Sequence, residues 1–351
     1  MNNRKEAADT DMSMEKSAKR SPEGSDEAAR FQRQAEMLAN RLRKRYRHFA
    51  KRYARRGIEA FRLYDWDIPE IRAVVDWYAG HLVVGEYTRK QSEPGWLAAM
   101  GAAAARALDV PEDRVHLKER RAGYSGGKRY ERLDFTESRI VVSERDFSFY
   151  VNPDDFVDTG LFSDHRDTRE MVREMAVGKD FLNLYCYSGT FTAYAIRGGA
   201  KSTVSVDRSK TVIRWARENL ALNDLAGDAH ALVRADAFDY LARAKREGRV
   251  FDLALVDPPS FSKTEATGED FDILRDHPRL LSAVIAAMRP GGAILFSANH
   301  QDFHFRPPPE LDRAEISEIT EATIPEDCVR KRSPIHRCWK IVLPNSGEAD
   351  T

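Results

Sequence analysis

The sequence predicts an α/β protein. Its larger part is a doubly wound, largely parallel sheet with helices on both faces, preceded by a small α+β domain and an N-terminal basic helix. Three observations carry this reading. Beyond Val177, β-rich runs alternate with helical ones; acids and a glycine turn stand directly after the strand runs; and the cations of residues 41–56 gather in one stretch without an acid. The 351 residues suffice for about two domains, and a hydrophobic content of 42% can supply their cores.

Residues 1–30 contain no Val, Ile, Leu, Phe, Tyr or Trp, so nothing there offsets the entropy of ordering and a disordered tail is expected. Phe31, Ala35, Leu38, Leu42, Phe49 and Tyr53 then recur at helical steps, and Gly57 is placed to end the helix, which is expected over 31–57. Its other face carries Arg41, Arg43, Lys44, Arg45, Arg47, Lys51, Arg52, Arg55 and Arg56. Such cations repel one another and favour a polyanion, so they are read as an RNA clamp rather than a merely solvated face.

Residues 58–156 read as short strands around one helix. The β-rich runs are 61–64, 71–77, 81–87, 115–119, 139–143 and 147–151; the helix is 94–108, and Gly123 to Gly127 form a flexible loop. The segment holds no catalytic constellation and is expected to be a scaffold or RNA-docking module. Residues 157–351 form the sheet domain, with strands at 181–185, 202–206, 231–234, 253–256, 293–297, 316–320 and 338–343, and helices at 190–197, 210–223, 238–246 and 271–288. Such sheets bind ligands beyond the carboxyl ends of their strands, near the switch in strand order.

Lys+Arg and Asp+Glu each number 56, which excludes a protein that holds nucleic acid over its whole surface. With nine cations in one stretch, the remainder is net acidic. Cys186, Cys328 and Cys338 have no CxxC or Cys/His ligand spacing, so neither a disulfide framework nor a metal site is expected. No apolar run approaches the roughly 20 residues of a bilayer span, and no signal-peptide core is present, so a soluble cytoplasmic protein is expected.

The chemistry gathers after the strands. Tyr185-Cys-Tyr-Ser-Gly-Thr190 is a tight turn into a helix, in which Gly189 would let a ligand approach the backbone. The GxGxxG dinucleotide fingerprint is absent, which favours a nucleoside cofactor without pyrophosphate. Asp207, 18 residues beyond Gly189, suits ribose hydroxyls; an N-cap role is already filled by Ser209. Asp236 after the third strand either meets an adenine amine or simply caps a helix. The fourth strand ends in Asp257-Pro-Pro-Ser-Phe261, where the prolines stiffen the turn and leave carbonyls free to accept. Gly turn, Asp, Asp and Asp-Pro-Pro on successive strands point to S-adenosylmethionine (SAM) as cofactor.

On Phe61-Arg-Leu-Tyr-Asp65, Asp158-Thr-Gly-Leu-Phe-Ser-Asp-His-Arg166, Asp180-Phe-Leu-Asn-Leu184, Asp257-Pro-Pro-Ser-Phe-Ser262, Arg275-Asp-His277, Leu295-Phe-Ser-Ala-Asn299 and Ile335-His-Arg-Cys-Trp339, the chain from about Arg41 onward resembles the bacterial 23S (large-subunit) rRNA guanine-N7 methyltransferases. These often form the C-terminal half of a fused protein. The resemblance implies a Rossmann-like class I SAM-dependent fold. It also implies a loop, 158–166, that closes over the cofactor through Thr159, Phe162, Asp164 and Arg166. Tyr185, Ser188 and Gly189 would face the methionine moiety, Asp207 the ribose and Asp236 the adenine, while Asp257, Pro258 and Phe261 would line the meeting place of methyl and base. The cofactor turn departs conservatively from the family's Phe-Ser-Tyr-Thr-Gly-Ser pattern. The fused partner activity is missing, so a single methylation is assigned.

Relatives that methylate cytosine C5 need a cysteine thiolate in the turn after the fifth strand. That turn here is Leu295-Phe-Ser-Ala-Asn299, without a cysteine, and Cys186 reads as a small buried filler. Guanine N7 already has an in-plane lone pair, so transfer needs alignment more than a base. Asp257 and Asn299 are expected to hold the guanine Watson–Crick edge and Phe261 to stack on it. The competing readings are a cytosine-C5 or N6-adenine rRNA methyltransferase and a non-catalytic RNA-binding assembly factor. The partner is 23S rRNA or a large-subunit precursor; the oligomeric state stays open, with a monomer favoured.

Overall fold

The computed structural model describes residues 22–88, 93–121, 136, 138–263 and 270–345. The Gly123 to Gly127 loop and residues 1–21 lie outside them. Helix α1 (Pro22–Ala54) begins nine residues before the expected start at Phe31, so the stretch read as tail is helical over 22–30. The polar first turns extend a helix whose apolar face, Leu38, Leu42, Phe49 and Tyr53, is fully packed farther on. After α1 the chain reverses at Gly57, which takes φ +66 with the carbonyl of Arg145 directly above it.

Four strands follow: β1 (Ala60–Asp65), β2 (Ala73–Tyr78), β3 (His81–Thr88) and, beyond helix α2 (Trp96–Leu108), β4 (Val115–Arg121). They form one sheet in that order, with only the β3–β4 pair parallel, as a helical crossover requires. The sheet packs with α1 and α2 around Phe49, Phe61, Leu63, Val75, Leu82, Trp96 and Met100. A separate hairpin, β5 (Ile140–Glu144) and β6 (Phe147–Val151), buries Val142, Phe147, Phe149 and Val151.

Helix α3 (Arg166–Met175) was not legible in the sequence. Two of its four buried residues are arginines, so its inward face does not read as apolar. The larger sheet then runs β7 (Asp180–Leu184), α4 (Thr190–Arg197), β8 (Ser202–Asp207), α5 (Lys210–Leu222), β9 (His230–Arg234), α6 (Ala237–Arg246) and β10 (Phe251–Val256). A two-residue ladder, β11 (Phe261–Ser262) with β12 (Phe271–Asp272), precedes α7 (Ile273–Ile285) and β13 (Met288–Ala298). The chain closes with β14 (Glu315–Glu318), the single turn α8 (Thr320–Thr323) and β15 (Arg337–Val342).

Strand order is β14-β15-β13-β10-β7-β8-β9, parallel from β13 to β9 and antiparallel at β15 and β14. This is the doubly wound sheet expected from the alternation. The first strand, β7, has β8 on one side and β10 on the other, so the order reverses between β7 and β10 and a crevice opens beyond their carboxyl ends.

Candidate active site

The crevice is lined by Phe162, His165, Arg169, Tyr185, Cys186, Tyr187, Thr190, Phe191, Leu255, Asp257 and Pro259, and holds about 540 Å³ of non-protein space including its open mouth. Its floor is the turn after β7. Tyr185 and Tyr187 both take left-handed φ, +57 and +47, an uncommon state for bulky residues that marks this turn as strained. Burial, with Asp236 and Asp207 nearby, pushes the Tyr185 phenol upward, so it stays neutral. Phe162 faces Tyr187 with ring centres 5.1 Å apart, forming an aromatic wall.

Gly189 caps α4 at φ +76, and a Cβ there would lie 2.9 Å from the Cβ of Ala216 on α5. Helix packing therefore demands glycine here, in addition to any approach of a ligand. Ser188 is buried and its hydroxyl donates to the carbonyl of Gly160, while its own carbonyl accepts from Asn219 at 2.8 Å. Its side chain ties the 158–166 loop to the turn instead of pointing into the crevice. Thr159 likewise spends its hydroxyl on that of Tyr78, at 2.9 Å.

Asp207 ends β8 nearly buried, with one oxygen 2.9 Å from the Ser209 amide and the other 3.4 Å from that of Tyr187. Ser209 is the cap of α5, as expected. Asp236 adopts the plainer of its two readings: it caps α6 by accepting from the Phe238 amide at 2.8 Å.

Arg166 is corrected outright. Its guanidinium lies away from the crevice, ion-paired with Asp327, donating to the Ala60 carbonyl at 3.0 Å and stacked over Tyr53. Asp164 also points elsewhere, to Nδ1 of His336 at 3.3 Å; against the cost of burial, that contact holds its carboxyl far below the usual range. Of the four loop residues, Phe162 lines the crevice.

Asp257 follows β10, its side chain 27% exposed, and Pro258 is buried behind it. Asn299, beyond β13, accepts from the Ser260 hydroxyl at 2.7 Å, so the residue that interrupts the Pro-Pro-aromatic order pins the two strand-end turns together. Phe261 sits half-buried in the β11–β12 ladder and does not line the crevice.

Sequence reading missed His165, Arg169, Tyr187 and His336. His165 Nε2 lies 3.7 Å from Oδ2 of Asp257, and its ring stacks on His336 with centres 4.1 Å apart at 11°. Ligand atoms of Asp164, His165 and His336 all fall within 4.8 Å of one another. Two near-parallel ring planes cannot both contain one ion, and Nε2 of His336 is engaged with Thr323 Oγ1 at 3.0 Å, so the group reads as a stack rather than a chelate. The signal was present, since His165 stands inside the 158–166 motif. Arg169 holds Glu144 through two hydrogen bonds, 2.7 and 2.6 Å, with both side chains buried; that pairing outweighs burial and keeps Glu144 ionised.

All three cysteines are buried, and burial pushes each thiol upward. Cys186 lines the crevice but is no thiolate.

The basic helix is divided. Arg41 pairs with Asp67, Arg45 donates to the Asp327 carbonyl at 2.8 Å, and Arg52 pairs with Glu326. These three are met by acids or carbonyls from remote segments, which no reading of residues 41–56 alone could show. Arg43, Lys44, Arg47, Lys51, Arg55 and Arg56 are exposed.

The crevice suits a nucleoside cofactor: a carboxylate at the end of β8, aromatic walls, and a helix N-terminus at the strand-order switch. Comparison with known proteins agrees. The chain is 40% identical over 311 residues to ribosomal RNA large subunit methyltransferase K of Neisseria meningitidis serogroup B, covering 87% of this chain and 86% of that protein. It is 39% identical over 321 residues to ribosomal RNA large subunit methyltransferase K/L of Methylococcus capsulatus, spanning 43% of that longer protein. A SAM-dependent methyltransferase from Streptococcus mutans shares the fold, with TM-score 0.69 at 20% identity over 88% of this chain and 81% of that one. A related crystal structure, complexed with SAH, gives TM-score 0.70 at 21% identity over 88% of this chain and 82% of that one. Residues 72–307 match the family described as S-adenosylmethionine-dependent methyltransferase, and to that family this chain belongs.

Proposed function

We propose that the chain transfers a methyl group from SAM to N7 of a guanine in 23S rRNA, in the cytoplasm. The observation that carries the choice of atom is the crevice at Asp257: a carboxylate stands at the reaction face, and the only thiol lining it is buried and protonated. Cytosine C5 needs a thiolate nucleophile; guanine N7 needs only to be held in line. The substrate class follows the named relatives, which act on large-subunit rRNA.

When bound, SAM supplies an electrophilic methyl on a sulfonium. The chain's own residues position and shield. Asp207 offers a carboxylate to ribose hydroxyls, while Tyr185, Ser188 and Gly189 shape the turn beside the methionine portion. Phe162 and Tyr187, which line the crevice, would cover it, and Asp236, which caps α6, would stand toward the adenine. Asp257 accepts from N1–H and the exocyclic amine of guanine, with Pro258 and Pro259 fixing its turn. Asn299 would complete the edge contact, and Phe261, which does not line the crevice itself, would stack on the unstacked base from the small ladder. Arg43, Lys44, Arg47, Lys51, Arg55 and Arg56 grip phosphates; Arg41, Arg45 and Arg52 orient the helix.

Borohydride and aniline cleavage of large-subunit rRNA from cells with and without the protein tests the reading, because it breaks chains at 7-methylguanosine. A site cleaved only when the protein is present is expected. Identical cleavage, or a new methyl on cytosine or an adenine amine, overturns it.

A further inference from the structure

The crevice contains one imidazole, His165, and N7 methylation gives it no proton to move. It is nonetheless held more firmly than any catalytic role in the reading above requires. Its side chain is 6% exposed, against 27% for Asp257. One ring face lies on His336; Nδ1 is 3.3 Å from the Thr168 hydroxyl; Nε2 points toward Oδ2 of Asp257 at 3.7 Å. His336 is itself fixed at both nitrogens, by Asp164 at 3.3 Å and by Thr323 Oγ1 at 3.0 Å. The rotamer of His165 is therefore set by two elements outside the crevice, α3 and the segment before β15.

We propose that His165 is the positioning residue for Asp257: a neutral imidazole whose Nε2–H, 3.7 Å from Oδ2 in the unliganded chain and so beyond hydrogen-bond length, closes onto that oxygen when the base is held, turning the other oxygen toward the Watson–Crick edge of the guanine. The inference rests on the N7 reading and adds to it the group that aims its base-holding carboxylate. The Thr168 hydroxyl has two acceptors within reach, Nδ1 at 3.3 Å and the Thr323 carbonyl at 3.5 Å; its proton goes to the nearer, Nδ1, which leaves Nε2–H facing the Asp257 carboxylate. The titratable groups facing the ring are His336 and Asp164 behind it, Asp257 in front and Arg169 beside it on α3. Burial, followed by the neighbouring His336, pushes His165 down to about 4, so the ring stays uncharged at neutral pH. A cation here would take Asp257 into a closed ion pair. Neutrality leaves the carboxylate's charge directed at the base.

The tautomer gives the test its discrimination, since the amide nitrogen of Gln falls where Nε2 lies and that of Asn where Nδ1 lies. In the full-length protein, His165→Asn is expected to lower kcat for tritiated-methyl incorporation into large-subunit rRNA roughly 10- to 100-fold, the loss that follows from misplacing an orienting group. His165→Gln is expected to recover most of that loss, with SAM Kd by calorimetry changed less than about twofold in both. Equal activity of the two variants, or a SAM Kd that weakens in step with kcat, overturns the proposal. As a check needing no variant, 15N-histidine spectra of the wild-type protein at pH 7 are expected to show His165 as the neutral Nε2–H tautomer; a cation or the Nδ1–H form overturns it. Total methyl incorporation is read whichever atom accepts it, so a failed N7 assignment in the rRNA cleavage assay remains separate from a failed role for His165.

Discussion

Two aspartates divide the molecule. Asp327, in the turn before β15, has a side chain that is 0% exposed and accepts from the Tyr53 hydroxyl, the Arg62 amide and the Arg166 guanidinium, joining α1, β1 and α3. Asp257, at the end of β10, is 27% exposed and has a single imidazole near it at 3.7 Å. Both lie beside groups from two adjacent residues, His165 reaching toward Asp257 and Arg166 toward Asp327. A saturated buried carboxylate holds a structure together; one left with open acceptor capacity at a crevice is available to a ligand.

The sharpest way to break this contrast is Asp327→Ala, which leaves a buried guanidinium and a buried phenol without their acceptor. A loss of about 3–5 kcal/mol in unfolding free energy is expected, read by denaturant titration. Acidification probes the other side. His165 takes its proton in the unfolded chain near 6.5 but in the folded one only at about 4. Its contribution is therefore complete above 6.5 and is lost as pH falls from there toward 4, by on the order of 3 kcal/mol. The part of the pH dependence that disappears in His165→Gln isolates it. Asp257→Ala is expected to leave the unfolding midpoint nearly unchanged while lowering kcat by roughly 100-fold, about 2.7 kcal/mol, with SAM affinity retained. Were Asp257→Ala to unfold the protein instead, the division would be wrong. The smallest effect belongs to the exposed cations: Lys44→Ala with Arg47→Ala is expected to reduce the slope of log K for rRNA against log salt by roughly 1–2, with folding untouched.

The sheet was legible because short β-rich runs alternate with helical ones, as β7 to β10 illustrate. The strand-end positions of Asp207 and Asp257 were legible for the same reason. What escaped was polar burial. Helix α3 turns Arg166 and Arg169 inward, and their partners, Asp327 and Glu144, lie 161 and 25 residues away. Composition reads such arginines as surface. The basic helix misled in the opposite sense, since the acids that meet Arg41 and Arg52 come from Asp67 and Glu326. Gly189 was noticed for its turn, yet the contact that forbids a side chain is with Ala216, which no local spacing reveals.

The grip of α1 on the rest of the molecule has a temporal side. The Tyr53 hydroxyl and the Arg52 guanidinium reach partners 274 residues later in the chain. At roughly 5–20 residues per second, a ribosome delivers those partners on the order of 14 to 55 s after the helix itself. During that interval Arg45 and Arg52 are unengaged by the turn that later holds them. Docking on Glu326 and Asp327 withdraws part of that charge, so completing the fold also sets how much of the helix's positive charge stays exposed.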